Sequence, residues 1–239
     1  MKRIAWMAMA GLLAASSALH AEDDPGEAPH LVVTADFNRD GIADLAEVRA
    51  PGGDADAPRV LTVLLGRAGG GFLPNGLELA LASEPKSLVT GDFNGDGIPD
   101  LLVGDGAGAV TEFLGDGTGK LISAGEIAHL GPVSAIAVAD FNHDGALDLA
   151  VSDSHDSVVT VLLGNRNGTF RTVWSFPLPM RGKVFRVFTA DFNGDGLPDL
   201  AVTNADDESF QVMLNNGNGT FTYAPQLSKL VDPNAHCAT

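Results

Sequence analysis

A ten-residue tract occurs four times in the chain, and this repetition limits the possible folds strongly. Its first copy reads DFNRDGIADL and runs from Asp36 to Leu45, and the other copies begin at Asp92, Asp140 and Asp191. The copies start 56, 48 and 51 residues apart. A repeat period in this range is typical of propellers and solenoids. The sequence therefore predicts one structural unit that is used four times.

Each repeat has the pattern of short antiparallel strands. In the third copy, apolar runs at 136–140, 147–152 and 158–163 are separated by turn residues, and a closing turn leads into a fourth run. Leucine-rich and β-branched runs of this length, with Gly, Asn and Asp between them, indicate strands. After the N-terminal residues, no segment keeps helical periodicity over three turns. The prediction is an all-β fold, a β-propeller built from four-stranded antiparallel blades, with four repeats visible.

The repeated tract also has the spacing of a calcium-binding loop. If its first Asp is position 1, oxygen-bearing side chains recur at positions 1, 3, 5 and 9, a glycine stands at position 6, and position 7 offers a backbone carbonyl. Calcium prefers six to eight oxygen ligands in flexible geometry. We predict about four Ca²⁺ ions, one per loop. The predicted ligands are Asp36, Asn38, Asp40, Ile42, Asp44, Asp92, Asn94, Asp96, Ile98, Asp100, Asp140, Asn142, Asp144, Ala146, Asp148, Asp191, Asn193, Asp195, Leu197 and Asp199.

Two alternatives compete with this interpretation of the loops. An EF-hand shares the opening residues but needs a Glu at position 12 and two flanking helices. Only the first loop has that Glu, at position 47, and the other three have valine. The second alternative is that Asp, Asn and Gly serve only as turn residues. Five polar or glycine positions recurring in fixed order favour metal loops over plain turns.

With these motifs the chain resembles the FG-GAP/VCBS repeat family, over roughly residues 31–227. The resemblance implies β-propeller blades with calcium in the blade loops, as in integrin α-subunits. Integrin-type rings have seven blades, whereas four are visible here. A closed four-bladed ring, an assembly of chains and a part of a larger ring all remain open. The blades are expected at about 31–82, 83–130, 131–180 and 181–227.

The repeat also has aromatic residues at fixed places. A phenylalanine at position 2 of each loop and one at the end of three closing turns are expected to anchor the core, because aromatic side chains bury large areas. These are Phe37, Phe93, Phe141 and Phe192 in the loops, and Phe72, Phe170 and Phe221 in the turns.

Composition limits the location and the partners. A basic start, a short apolar stretch and small residues before Glu22 indicate a signal peptide at 1–21, followed by a linker at 22–30. The chain has 14 basic and 31 acidic residues, and loss of Lys2 and Arg3 with the leader would leave 12 and 31, a formal charge of −19. We therefore expect a secreted, periplasmic or cell-surface protein with no nucleic-acid partner and no membrane insertion after signal cleavage. The single cysteine, Cys237, lies in a C-terminal tail at 228–239.

No catalytic motif stands out against the repeats. The segment 152–157 contains Ser, His and Asp, but triad residues are neighbours in space rather than in sequence. We predict a non-catalytic calcium-binding module for protein recognition or adhesion, with contacts from the loops at 49–59, 104–109, 153–157 and 204–209. A lectin-like glycan-binding module and, less favoured, a non-catalytic domain associated with a secreted hydrolase are the alternatives. The partner would be an extracellular protein or glycan, and a homo-oligomer could complete a larger ring.

Overall fold

Each copy of the repeat folds into one antiparallel sheet of four strands in simple up-and-down order. A computed structural model describes residues 31–50, 57–153, 155–178, 184–204 and 210–224. The predicted leader, linker and tail, with Cys237, lie outside these ranges, as do parts of three of the predicted contact loops. In the described ranges the regular elements are strands, and none of these residues forms a helix that could cross a membrane. The prediction of an all-β chain of four-stranded antiparallel sheets is confirmed.

The sheets, here called sheets 1 to 4, follow each other along the chain. Sheets 1 and 2 contain β1 (Leu31–Ala35), β2 (Asp44–Arg49), β3 (Val60–Gly66), β4 (Phe72–Ala80), β5 (Pro85–Gly91), β6 (Asp100–Asp105), β7 (Ala109–Gly115) and β8 (Leu121–His129). Sheets 3 and 4 contain β9 (Val133–Ala139), β10 (Asp148–Asp153), β11 (Val158–Gly164), β12 (Phe170–Pro177), β13 (Val184–Ala190), β14 (Asp199–Asn204), β15 (Phe210–Asn215) and β16 (Phe221–Tyr223).

The exposure of a strand depends on its place in the sheet. The second strand of an inner sheet has neighbours on both faces, and β6 is therefore buried along its whole length. The fourth strand lies at the outer edge of its sheet, and β4 and β8 are largely exposed. The first strands of successive sheets contact one another, β1 with β5, β5 with β9, and β9 with β13. The sheets thus pack in chain order along their first strands.

Three hydrophobic clusters fill the spaces between neighbouring sheets. One cluster joins sheets 1 and 2, one joins sheets 2 and 3, and one joins sheets 3 and 4. Buried aliphatic side chains from the facing sheets make up most of each cluster, and this burial is the main favourable term in folding. In the described part of the chain, no strand of sheet 1 packs extensively against sheet 4. Among the described residues, the four sheets therefore form an open array whose first and last sheets each have a neighbouring sheet on one side only.

Candidate metal centres

The four predicted metal loops occupy equivalent places in the four sheets. Each joins the first strand of a sheet to the second, and its position-9 Asp is the first residue of the second strand. Position 6 is a glycine with φ between +80° and +86°, which is the left-handed conformation that glycine adopts without strain. Position 4 is also left-handed, although Arg39 and His143 occupy it in two loops, with φ of 62° and 57°. Sequence reasoning missed this second bend, which glycine at position 4 of the other two loops could have signalled.

Side chains at positions 1, 3 and 5 converge on one side of each loop through backbone hydrogen bonds. In the third loop the Asp140 carboxylate accepts the amide hydrogens of Asp144 and Gly145 at 3.2 and 2.8 Å, and the Asp144 carboxylate accepts that of Ala146 at 2.8 Å. The Asn142 side chain accepts the Asp144 amide at 2.9 Å and donates to the Asp144 carboxylate at 2.9 Å. The other three loops repeat these bonds with nearly the same distances.

The position-9 carboxylate has a different environment, because it is completely buried in all four sheets. One oxygen of Asp148 accepts the amide of Phe141 at 2.8 Å, and the other accepts the amide of Gly164 in the closing turn at 2.9 Å. The equivalent bonds recur at Asp44, Asp100 and Asp199. This residue therefore ties the loop between the first two strands to the turn between the last two. The sequence predicted it only as a metal ligand and missed this backbone role.

The two kinds of carboxyl group differ in their proton affinity. Burial raises the pKa of Asp100 and of Asp148 to about 6, although backbone amide donors oppose the shift. The pKa of Asp144 is lowered by the amide of Ala146, and the pKa of Asp191 is lowered by the amide of Gly196. These exposed carboxylates at positions 5 and 1 are thus ionised at neutral pH and suited to attract a cation.

The donor chemistry of the loops fits calcium. Among the described residues, no three Asp, Glu, His or Cys side chains form a metal-binding group by themselves. A cation at one of these loops would therefore use the position-3 amide oxygen and the position-7 carbonyl beside the carboxylates at positions 1 and 5. All of these donors are oxygens, which suit a hard cation such as Ca²⁺. Each carboxylate oxygen that accepts one amide hydrogen keeps a second lone pair for a metal.

The phenylalanines at position 2 of the loops lie at the contacts between a loop and the next sheet. Phe37, Phe93 and Phe141 are 0–2% exposed, as predicted for core anchors. Phe93 packs against Phe170 of the next closing turn, with ring centroids 6.0 Å apart, and Phe141 packs against Phe221 in the same way at 5.4 Å. Phe192 is 40% exposed and Phe72 is 48% exposed, so the prediction of a core anchor is wrong for these two. They belong to the two sheets at the ends of the array, which have no further neighbouring sheet among the residues that the structure describes.

Sequence reasoning also missed Glu112, which is buried in the contact between sheets 2 and 3. It is 2% exposed, and its Oε1 atom has no hydrogen-bond partner. Burial, and secondly the charge of Asp100, raise the pKa of Glu112 to about 7. Its place on β7 corresponds to valine in the other three sheets, at Val63, Val161 and Val212. This departure from the repeat was the available signal.

Replacing Glu112 with valine is expected to stabilise the protein above neutral pH. The folded-state pKa of about 7 exceeds the ordinary value of 4.5, so the wild type loses stability as pH rises between these values. We expect the substitution to recover roughly 2–3 kcal/mol at pH 8, and much less below pH 4.5. Urea unfolding at several pH values measures this difference. The exposed Glu126→Val is the matched control, and an equal gain from both variants, or a gain independent of pH, would contradict the expectation.

The residues of a possible catalytic triad have structural partners of their own. The buried Ser152 hydroxyl donates to the Ala135 carbonyl at 3.1 Å and lies 2.8 Å from the Ser134 hydroxyl. The exposed His155 ring contacts its neighbour Asp156 at 2.8 Å. These contacts favour strand pairing and a solvated loop over a nucleophile with its base.

Comparisons with known proteins agree with the repeated architecture. The family model for an FG-GAP-like repeat matches residues 92–151, 144–202 and 191–237, and the first loop lies outside these matches. No curated protein matches the chain. One similar solved structure is the crystal structure of BBS1N in complex with ARL6DN, soaked with mercury, with a TM-score of 0.51 and 15% sequence identity. The match covers 87% of this chain and 56% of that one, so the chain spans about half the length of this structural relative.

At 15% identity this likeness concerns the fold alone, whereas the family matches cover more than half of the chain. Repeats of this family are typically non-catalytic. Together with the four repeated loops and sheets, the matches show that the chain belongs to the FG-GAP-like repeat family.

Proposed function

We propose that this chain is a non-catalytic, calcium-binding β-propeller module that recognises another protein outside the cytoplasm. The four sheets would be successive blades, since each is an up-and-down sheet of four strands that packs on the next through its first strand. Export is supported by the composition of residues 1–21. The module would act through surface shape and would supply no reaction chemistry.

In this proposal calcium stabilises one end of the sheets. The residues that would hold it in each loop are those at positions 1, 3 and 5, whose side-chain oxygens face one side, with the backbone carbonyl at position 7. Bound calcium would neutralise the carboxylates at positions 1 and 5. The buried position-9 Asp also stabilises the loop, because its carboxylate is hydrogen-bonded both to the loop and to the closing turn. The proposed role of the ion is therefore structural.

The recognition surface would lie at the opposite end of the sheets, and this separation is the observation on which the proposal rests. Because neighbouring strands are antiparallel, the loops between second and third strands are at the far end from the metal loops. The described example is 104–109, where one oxygen of Asp105 accepts the amides of Ala107, Gly108 and Ala109 at 2.9–3.0 Å. Such a rigid turn can present exposed residues to a partner without a large loss of entropy.

Protein is favoured over glycan as the partner because few aromatic residues are suited to sugar stacking, and one of them already packs against other aromatic rings of the chain. Trp174 packs against Phe176 and Phe221, with ring centroids 4.1 and 5.8 Å apart. Tyr223 is 38% exposed, but it lies on the short outer strand β16 rather than at the proposed recognition end. An adhesion or protein-binding role needs no aromatic platform.

A site-specific photo-crosslinking experiment tests this function. A photoreactive residue at the exposed Ala107 is expected to crosslink one envelope or extracellular protein of the host, and chelation of calcium is expected to abolish the product. The same group at the exposed Lys120, at the metal end, is the matched control and should give no such product. Equal products from both positions, or binding to a glycan array without any protein product, would contradict the proposal.

A further inference from the structure

The two ends of the sheet array are the separate halves of a contact that the chain already makes three times. In each internal contact, the metal loop of one sheet meets the closing turn of the next. Gly119 donates its amide hydrogen to the Phe37 carbonyl at 3.0 Å, and Gly168 donates to the Phe93 carbonyl at 3.2 Å. In the third contact the Asn215 side chain donates to the Phe141 carbonyl at 3.0 Å. The same interface thus recurs three times. Its loop half is the metal loop of one sheet with the first strand before it, and its turn half is the closing turn of the next sheet.

On sheet 4, no sheet in the described part of the chain covers the loop half of this interface. Phe192 is 40% exposed, whereas the three equivalent loop phenylalanines are almost completely buried. Phe188 on β13 is 48% exposed, although the corresponding residues of the other first strands, Val33, Val89 and Ala137, are 1–5% exposed. The side chains that face a following sheet elsewhere in the array therefore form an open apolar surface here, which we call the loop end.

On sheet 1, it is the turn half of the interface that has no covering sheet within the described ranges. Phe72 is 48% exposed, whereas the corresponding Leu121 and Phe221 are both 4% exposed. Each closing turn has a glycine two residues before its fourth strand. This glycine is buried in the other three turns, but Gly70 in sheet 1 is exposed, and a Cβ atom built on it would meet nothing within 4 Å. This surface, which we call the turn end, has the side chains of an internal contact, but no other described sheet packs on it.

We propose that the turn end of a second copy of this chain covers the loop end, so that Phe192 of one copy packs against Phe72 of the next. The internal Phe93–Phe170 and Phe141–Phe221 pairs are the pattern for this fourth contact. The contact is heterologous, because it joins different surfaces of the two copies. Two copies that each supply both ends close into a ring of eight sheets, which leaves no apolar end exposed to water.

Native mass spectrometry and light scattering on the full chain, with calcium present, test this proposal. The wild type is expected to be a dimer. Phe192→Asp and Phe72→Asp each place a charge in every head-to-tail contact, so each variant alone should dissociate about 100-fold more readily. Ile122→Asp is the matched control, because Ile122 is 62% exposed on β8 and outside both ends. It should remain a dimer.

Mixing the two variants supplies the decisive measurement. A Phe192→Asp chain keeps an intact turn end, and a Phe72→Asp chain keeps an intact loop end, so the mixture should form a heterodimer through one good contact. Its formation also shows that both variants are folded. The proposal is overturned if the wild type is monomeric at every soluble concentration, if both single variants remain dimeric, or if the mixture forms no heterodimer.

Discussion

Removal of calcium is expected to lower the unfolding temperature of this protein by roughly 20–40 °C. An ion present at about 100 times its dissociation constant stabilises a folded state by about 2.7 kcal/mol, and four such sites would contribute about 10 kcal/mol. For a chain of this size, each kcal/mol corresponds to about 2–4 °C. The physical reason is that each loop places two exposed carboxylates close together, at positions 1 and 5, and the ion joins them. Thermal melts in calcium and in chelator measure the shift.

The matched control removes one carboxylate from every loop and leaves the backbone bonds of position 9 intact. It is the fourfold Asp→Asn substitution at position 5, at Asp40, Asp96, Asp144 and Asp195. This variant should melt in calcium near the temperature of the chelated wild type. Equal melting of the wild type in calcium and in chelator, with no calcium retained after dialysis, would contradict the proposed metal centres.

Replacement of Asp148 with alanine is expected to destabilise the protein by about 3–5 kcal/mol, even in chelator. The substitution leaves the buried amides of Phe141 and Gly164 without their acceptor, and each unsatisfied buried donor costs about 1–3 kcal/mol. The loop and the closing turn of sheet 3 also lose their direct connection. Urea unfolding of the chelated protein measures this cost.

Two substitutions separate this structural role from metal binding. The exposed Asp156→Ala should change stability by less than about 0.5 kcal/mol, as is usual for surface sites. Asp144→Asn, at position 5 of the same loop, should lower stability far more in calcium than in chelator. If Asp148→Ala likewise lost stability mainly in calcium, its carboxylate would act first as a ligand and the backbone role would be refuted.

Much of the fold was predictable because it depends on local pattern. The period of the repeat and the short β-branched runs predicted four sheets of four antiparallel strands, which the structure confirms. The family resemblance is confirmed by the matches to residues 92–237. Calcium binding, export and the nature of the partner stay predictions. Loop geometry followed from residue types at fixed positions, such as the glycine at position 6.

The roles of individual site residues were less predictable, because they depend on contacts between distant parts of the chain. Asp44 is only seven residues from Phe37, whose amide it accepts, but its other partner, Gly66, is 22 residues away in the closing turn. Nothing in the ten-residue tract shows that this turn folds back onto it. Glu112 was visible in the sequence as a departure from valine, but its burial required the packing of sheet 3 on sheet 2.

The repeat unit, its strands and the loop with its oxygen donors follow from the amino-acid sequence alone, since backbone conformation and alternation are local properties. Which copies of the same residue are buried depends instead on how the sheets pack on one another. Phe141 and Phe192 have the same neighbours in sequence, yet one is completely buried and the other is 40% exposed. The reason is that burial depends on the next sheet, which follows sheet 3 and is lacking after sheet 4 among the described residues.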